Sequence, residues 1–446
     1  MINKKELELL QGALQTLEAG FTDLPEFTPD FDVVAVEKVL DEVATRMQDN
    51  YPYYHPQYAG QMLKPPHPVA RIAYAMSLWV NPNNHALDGG RASSAMEKEC
   101  VLALGQMFGW EDPLGHLASG GTMANLEALW VAGRLHPNKK VIASSQAHYT
   151  HSRISEVLGI EFSPVAVDSA GRMKIADIEK QLQAGDVGTV VVTMGNTGLG
   201  SVDPLQDVLK LREQFDFRVH ADAAYGGYFA LSDALQTPTR SAFDCMKAVD
   251  SIVIDPHKHG LQPYGCGCIL YRDPSVGTLY KHDSPYTYFS SAELHLGEIS
   301  LECSRAGASA VALWATQQLM PLTRDGDFAN GLNQSLAAAR QLHRRLSESD
   351  AFLPLMLPEL DIVVYALHAP DTHASSVAAR ATFERAAENG LHLALIELPL
   401  SIAGPYLGDI VTNTDSISCL RSVMMKPEHR DWCKEIVTLL EKSASD

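Results

Sequence analysis

The chain has no run of lysine or arginine, no C-x-x-C pair, no apolar stretch of 18 residues and no low-complexity tract. Each absence closes a class of explanation. There are 35 Lys and Arg against 54 Asp and Glu, a formal charge of −19. Such a surface repels nucleic-acid phosphates and anionic membranes, so neither is an expected partner. Without a long apolar run, no membrane span is expected. The seven cysteines are sparse and odd in number, which reads as reduced thiols of a cytoplasmic protein rather than a disulfide frame. Cys266 and Cys268 lack zinc-finger spacing and read as small strand residues. After its two lysines the segment MINKKELELL turns helix-like rather than apolar, so no secretory signal is expected. What remains is 446 residues, 46% hydrophobic and 20% charged, an ordinary folded chain of two or three domains.

Hydrophobic periodicity predicts helices over residues 1–20 and 32–49, the second with Val34, Val36, Val39, Leu40 and Val43 on one side. A tyrosine- and proline-rich loop follows from residue 51. Between about 71 and 275, helical stretches (92–108, 122–134, 151–159, 175–184 and 205–215) are separated by short apolar runs at 141–144, 189–194, 217–222, 251–255 and 266–271. Short β-branched runs between helices mark βαβ units and a mostly parallel sheet. Residues 305–347 read as strongly helical. Strand-like runs at 362–367, 391–398 and 417–425 and a last amphipathic helix read as a small α+β domain. The expected division is an N-terminal helical segment (1–70), a large α/β domain (71–325) and a small C-terminal domain (326–446).

Four segments carry candidate chemistry. In SIVIDPHKHG (251–260) an apolar strand runs into a polar turn with Asp255, His257, Lys258 and His259. Ligands of open α/β sheets bind at the carboxyl ends of strands, and a lysine at the edge of apolar surroundings can serve there as a nucleophile. Read alone, it is equally an exposed loop lysine. In FRVHADAAYGGYF (217–229) a strand ends at Asp222 among small residues, 36 positions before Lys258 and so one crossover away. Read alone, Asp222 is a helix cap. In HLASGGTMANLEAL (116–129) Gly120 and Gly121 form a turn, with Thr122 placed to cap the next helix and an anion site at its N-terminus. It is neither a P-loop nor G-x-G-x-x-G. In SSQAHYTHSR (144–153) His148 could lie flat on an aromatic ligand, while His151 reads as an ordinary core or surface histidine. A metal site using these histidines lacks a third-ligand pattern. Together, a phosphate site, a stacking ring, an acid and a lysine on one sheet are the parts that hold pyridoxal 5′-phosphate (PLP).

ASGGTMAN, the His148 block, HADAAYGG, DPHKHG and ECSRAGASAVALW resemble the group II PLP-dependent decarboxylases of fold type I. That family includes glutamate, aromatic amino-acid, histidine and archaeal tyrosine decarboxylases, with sphingosine-phosphate lyase as a related branch. The resemblance spans roughly residues 50–425. It implies a PLP-dependent transferase-like large domain and a cofactor linked to Lys258 as a Schiff base. It also implies that Asp222 faces the pyridinium nitrogen and that His148 stacks on the ring. Gly121, Thr122 and His257 fall at phosphate positions, and Thr197 at a cofactor contact where Asn196 replaces the family's threonine. Arg421 falls where the family binds a substrate carboxylate; its plain alternative is a surface salt bridge. Arg305 matches a motif arginine with no assigned role. A loop tyrosine that works across a homodimer would be Tyr286, or secondly Tyr288. The implied reaction is α-decarboxylation of an L-amino acid, releasing CO2 and an amine. The tyrosine-rich segment at 51–58 and the stretch at 79–85 resemble pocket-lining parts and suit an aromatic or apolar side chain. Glutamate or aspartate decarboxylation and carbon–carbon cleavage of the lyase type are the alternatives.

Overall fold

The computed structural model describes residues 3–21, 23–25, 27, 30–85, 89–281 and 299–445. Seven strands form the large sheet: β1 (Leu114–Ala118), β2 (Lys140–Ser144), β3 (Phe162–Val165), β4 (Val187–Thr193), β5 (Arg218–Asp222), β6 (Ser251–Ile254) and β7 (Gly267–Tyr271). Their order is β1-β7-β6-β5-β4-β2-β3, and only β7 runs antiparallel to its neighbours. β4 and β6 are buried along their whole length, as the VGTVVVT run of β4 requires of a sheet covered on both faces.

Four further strands form an antiparallel sheet in the order β10-β11-β9-β8: β8 (Phe352–Pro354), β9 (Ile362–Leu367), β10 (Ala394–Pro399) and β11 (Ser416–Val423). Side chains alternate across it. Val363, Tyr365, Leu367 and Leu420 pack with Leu342, Ala379 and Ile436 of the helices Asp327–Ser347, Thr372–Glu388 and His429–Ser445. Ile362, Val364, Ala366 and Cys419 join the core of the large sheet instead. Arg421 shares the parity of Cys419 and so faces the large domain.

The expected mixed architecture is present, with local differences. The helical stretch at 305–347 is two helices, Gly307–Leu319 and Asp327–Ser347, because Pro321 and Gly326 interrupt it. β1, β3, β8 and the helix Thr372–Glu388 are additions. β1 was hidden by the polar His116, which is buried because its Nε2 lies 2.9 Å from Glu127 Oε2. The helix Pro68–Ser77 crosses the 70/71 boundary, and we place the end of the N-terminal segment at His67, its cap.

Candidate active site

β1, β2, β4, β5 and β6 all point the same way, so their carboxyl ends meet at one edge of the sheet. A cavity of about 320 Å³ opens there. Gly121, Thr122, His148, Thr197, Asp222, His257 and Lys258, each singled out in the sequence, all line it.

β5 ends at Asp222, which is buried. Its Oδ2 accepts a hydrogen bond from His151 Nε2 at 2.8 Å, and its Oδ1 accepts from the Ala224 amide at 3.1 Å. Burial alone would raise the Asp222 pKa. The His151 hydrogen bond, with the charges of His151 and Lys258, outweighs burial and holds the carboxyl well below its ordinary range. Asp222 is therefore an anion at the cavity wall. His151 corrects the plain reading of that residue: it is buried, but it orients the key acid. If His151 is replaced by Phe, the apoprotein should lose about 3 kcal/mol at pH 7, the usual cost of stripping one partner from a buried pair. The sign follows from the depressed pKa: the contribution is present above pH 3.8 and lost as the pH falls below it. Melting curves of both proteins should differ most at pH 7, and the gap should narrow at pH 3 without closing, because the native carboxyl is still largely ionised there.

β6 ends one residue before Asp255, and the turn it opens carries Lys258. Lys258 Nζ lies 3.1 Å from Asp255 Oδ2, with His257 Nε2 at 3.5 Å from the same oxygen. Asp255 Oδ1 is buried with no hydrogen-bond partner among the described residues. His257 stacks on Tyr264 with ring centroids 4.6 Å apart and accepts the Cys266 amide on Nδ1. Burial lowers the pKa of both His257 and His148. His148 is held by Thr150, whose hydroxyl lies 2.8 Å from Nδ1.

The helix Gly121–Leu135 starts at this edge with Gly120 at its cap position and no side-chain cap. Thr122 therefore does not cap it, because it sits one residue inside the first turn, and the first amides are left for a ligand. The turn is tight. A Cβ on Gly121 would lie 2.7 Å from Asp255 Oδ2, and one on Gly267 would lie 2.5 Å from the Gly120 carbonyl carbon. Asn196 is buried in the turn after β4, where its Oδ1 accepts the Leu199 amide at 2.7 Å. It shapes the turn that exposes Thr197 to the cavity, which gives the Thr-to-Asn departure a structural role.

Two expected residues lie elsewhere. Arg421 does not line this cavity, yet it is buried and makes no ion pair among the described residues, so it is no surface salt bridge. Burial lowers its pKa, and Tyr225 and Tyr58 act on it in the opposite sense. Tyr225 lines the cavity and donates its hydroxyl hydrogen to Asp361 Oδ1, a pair that sequence spacing did not reveal. Arg305 pairs with Glu97 and donates to the carbonyls of Leu117 and Asn84, fastening β1 to the helix Arg91–Met107. Tyr286 and Tyr288 lie outside the described residues.

A family model, the pyridoxal-dependent decarboxylase conserved domain, matches residues 130–368, more than half of the chain. The chain belongs to the pyridoxal-dependent decarboxylase family. It is 31% identical to a probable L-tyrosine/L-aspartate decarboxylase of Methanothermobacter thermautotrophicus, over 69% of this chain and 82% of that protein. It is 26% identical to the L-tyrosine decarboxylase of Enterococcus faecium, over 78% and 73%. Mouse CSAD shares the fold at a TM-score of 0.80 with 21% identity, over 98% of this chain and 91% of that one. The protein is thus a PLP-dependent amino-acid decarboxylase of fold type I. Its cavity fits PLP on its own evidence. The glycine turn leaves uncapped amides for a phosphate, Asp222 is an anion for a ring nitrogen, and the Lys258 amine opens on the same space. Among the described residues no helix is long and apolar enough to cross a membrane.

Proposed function

We propose that Lys258 is the covalent attachment point of PLP and that the decarboxylase acts on an L-amino acid with an aromatic or apolar side chain. The observation that carries the site assignment is the meeting of ionised Asp222, His148, Lys258 and the uncapped glycine turn on one cavity. When bound, PLP supplies an aldehyde and a ring that accepts the electron pair left by departing CO2. Asp222 keeps the proton on the ring nitrogen, and His151 holds Asp222 in place. His148, its pKa lowered by burial, presents a flat imidazole face to the ring. Gly121, Thr122 and His257 would hold the phosphate end, and Thr197 would contact the cofactor. We assign the proton delivered to the product carbon to Tyr286, with Tyr288 second.

We assign the substrate carboxylate to Arg421. Its Nε and Nη2 are buried with no hydrogen-bond partner among the described residues, a state that an incoming carboxylate would relieve. Arg421→Gln should raise KM by about 100-fold with little fall in kcat, since the contact is to the carboxylate before it leaves as CO2. Steady-state kinetics of the variant against the parent check this split.

The aromatic preference is supported by the relatives named for L-tyrosine and by Tyr51, Tyr53 and Tyr58, which pack together beside His392. L-aspartate is the second reading, because the M. thermautotrophicus relative carries that name as well. Release of CO2 over a panel of L-amino acids tests the assignment. Turnover of tyrosine, phenylalanine or tryptophan above aspartate and glutamate supports it, and the reverse order replaces it with the second reading.

The working unit in this proposal is a cytoplasmic homodimer. The helix Val33–Met47 buries none of its residues, and its apolar side chains Val34, Val36, Val39, Leu40 and Val43 all stand exposed. A second copy would cover that face. Val36→Asp combined with Val39→Asp should give monomers by light scattering, where the parent gives dimers. All seven cysteines are free, in keeping with a reducing compartment.

A further inference from the structure

The residue after Lys258 belongs to a different space. His259 lines a second cavity of about 340 Å³, walled by Pro65, Pro66, Leu261, Phe328 and Leu332. Two amines reach this largely apolar space. Lys64 Nζ donates to the Met425 carbonyl at 3.3 Å, and Lys426 Nζ donates to the Tyr58 carbonyl at 2.6 Å. Each ammonium keeps N–H donors beyond those single bonds.

Their counter-charges are few. Arg71, at the same cavity, is held by Glu6 through two contacts of 2.9 and 2.8 Å and neutralises it. Glu428 is the carboxylate in the lining, and Asp361 acts on Lys64 from alongside while it binds Tyr225 and faces His259 at 3.2 Å. Burial pushes Lys64 down to about 8 and Lys426 down to about 7, the second helped by the charge of Lys64. His259 Nδ1 is buried with no hydrogen-bond partner among the described residues. Two amines therefore meet a largely apolar lining that holds one carboxylate, with Asp361 acting on Lys64 from outside it and an unused imidazole nitrogen alongside. A ligand with a carboxylate head and an apolar body matches this lining in its free donors and in size.

We propose that the second cavity binds a small monocarboxylate, with its carboxylate between Lys64 and Lys426 and its apolar body against Pro65, Pro66 and Phe328. None of these residues lines the cavity of Asp222 and Lys258, although Lys426 is bonded to the Tyr58 carbonyl. Free inorganic phosphate, which has no apolar body, is a poor occupant.

The probes are phenylacetate and its neutral isostere phenylacetamide, titrated calorimetrically into the holoenzyme. Because Arg421 offers a second carboxylate site, the titration is also made with Arg421→Gln. Phenylacetate should bind Arg421→Gln with a Kd of about 1 mM or tighter, and phenylacetamide at least about tenfold more weakly. Lys64→Gln and Lys426→Gln should each weaken phenylacetate about tenfold or more. Equal affinity for acid and amide would overturn the proposal, as would loss of all phenylacetate binding in Arg421→Gln or full retention of it in both lysine variants. The acid-against-amide comparison needs no lysine variant, so a variant that fails to fold leaves the proposal testable. Inorganic phosphate binding as well as phenylacetate would also contradict it.

Discussion

Lys258→Ala is expected to lower kcat by about 10⁴-fold or more, since among the described residues no other lysine lines the cavity and covalent catalysis would lose its nucleophile. Two effects of this change must be separated. In the apoprotein the Lys258 amine lies 3.1 Å from the buried Asp255 Oδ2, so its removal leaves that oxygen only His257 Nε2 at 3.5 Å. Breaking a buried pair by removing one partner costs about 3 kcal/mol or more. Lys258→Arg distinguishes them. It restores a cation beside Asp255, and with it most of the melting temperature, but a guanidinium stays protonated and does not attack an aldehyde. Stability recovered without activity assigns the loss to chemistry. Activity recovered together with stability would mean that Lys258 acts only through Asp255.

The second large effect is at Asp222. Asp222→Ala should reduce kcat by about 10³-fold, because the ring nitrogen would lose the anion that keeps it protonated and the electron pair would lose its sink. Asp222→Asn preserves shape and the Ala224 amide contact but carries no charge, so it should fall nearly as far. Asp222→Glu keeps the charge on a longer arm and should recover part of the rate. A spectrum of the bound cofactor that differs between Asp222→Asn and the parent would tie the loss to the ring nitrogen rather than to folding. Equal rates in Asn and parent proteins would remove Asp222 from the mechanism.

Local patterns made much of this site readable. A β-branched run ending in an acid or a lysine turn announces a strand whose carboxyl end faces a ligand, and β5 and β6 are built that way. The glycine pair before Asn125 announces a helix start, although the cap expected at Thr122 is absent because the helix begins one residue earlier. Long-range partners left no local trace. His151 reaches Asp222 across 71 residues, and nothing in SSQAHYTHSR marks it over His148. Tyr225 and Asp361 meet across 136 residues, one in the turn after β5 and one just before β9, so only the packing of the small sheet against the large one reveals them. β1 escaped for a related reason: its polar His116 is tolerable in a buried strand only because Glu127 comes back to it from the following helix. Lys64 and Lys426 are separated by most of the chain and become neighbours only in the fold.

The central claim is the covalent link between one lysine and the cofactor. The direct measurement is reduction of the holoenzyme with borohydride, followed by proteolysis and mass mapping of the tagged peptide. A single phosphopyridoxyl mass is expected on the peptide that contains DPHKHG, carried by Lys258. A tag on Lys64 or Lys426 with Lys258 unmodified, or no tag on protein that still releases CO2, would contradict it.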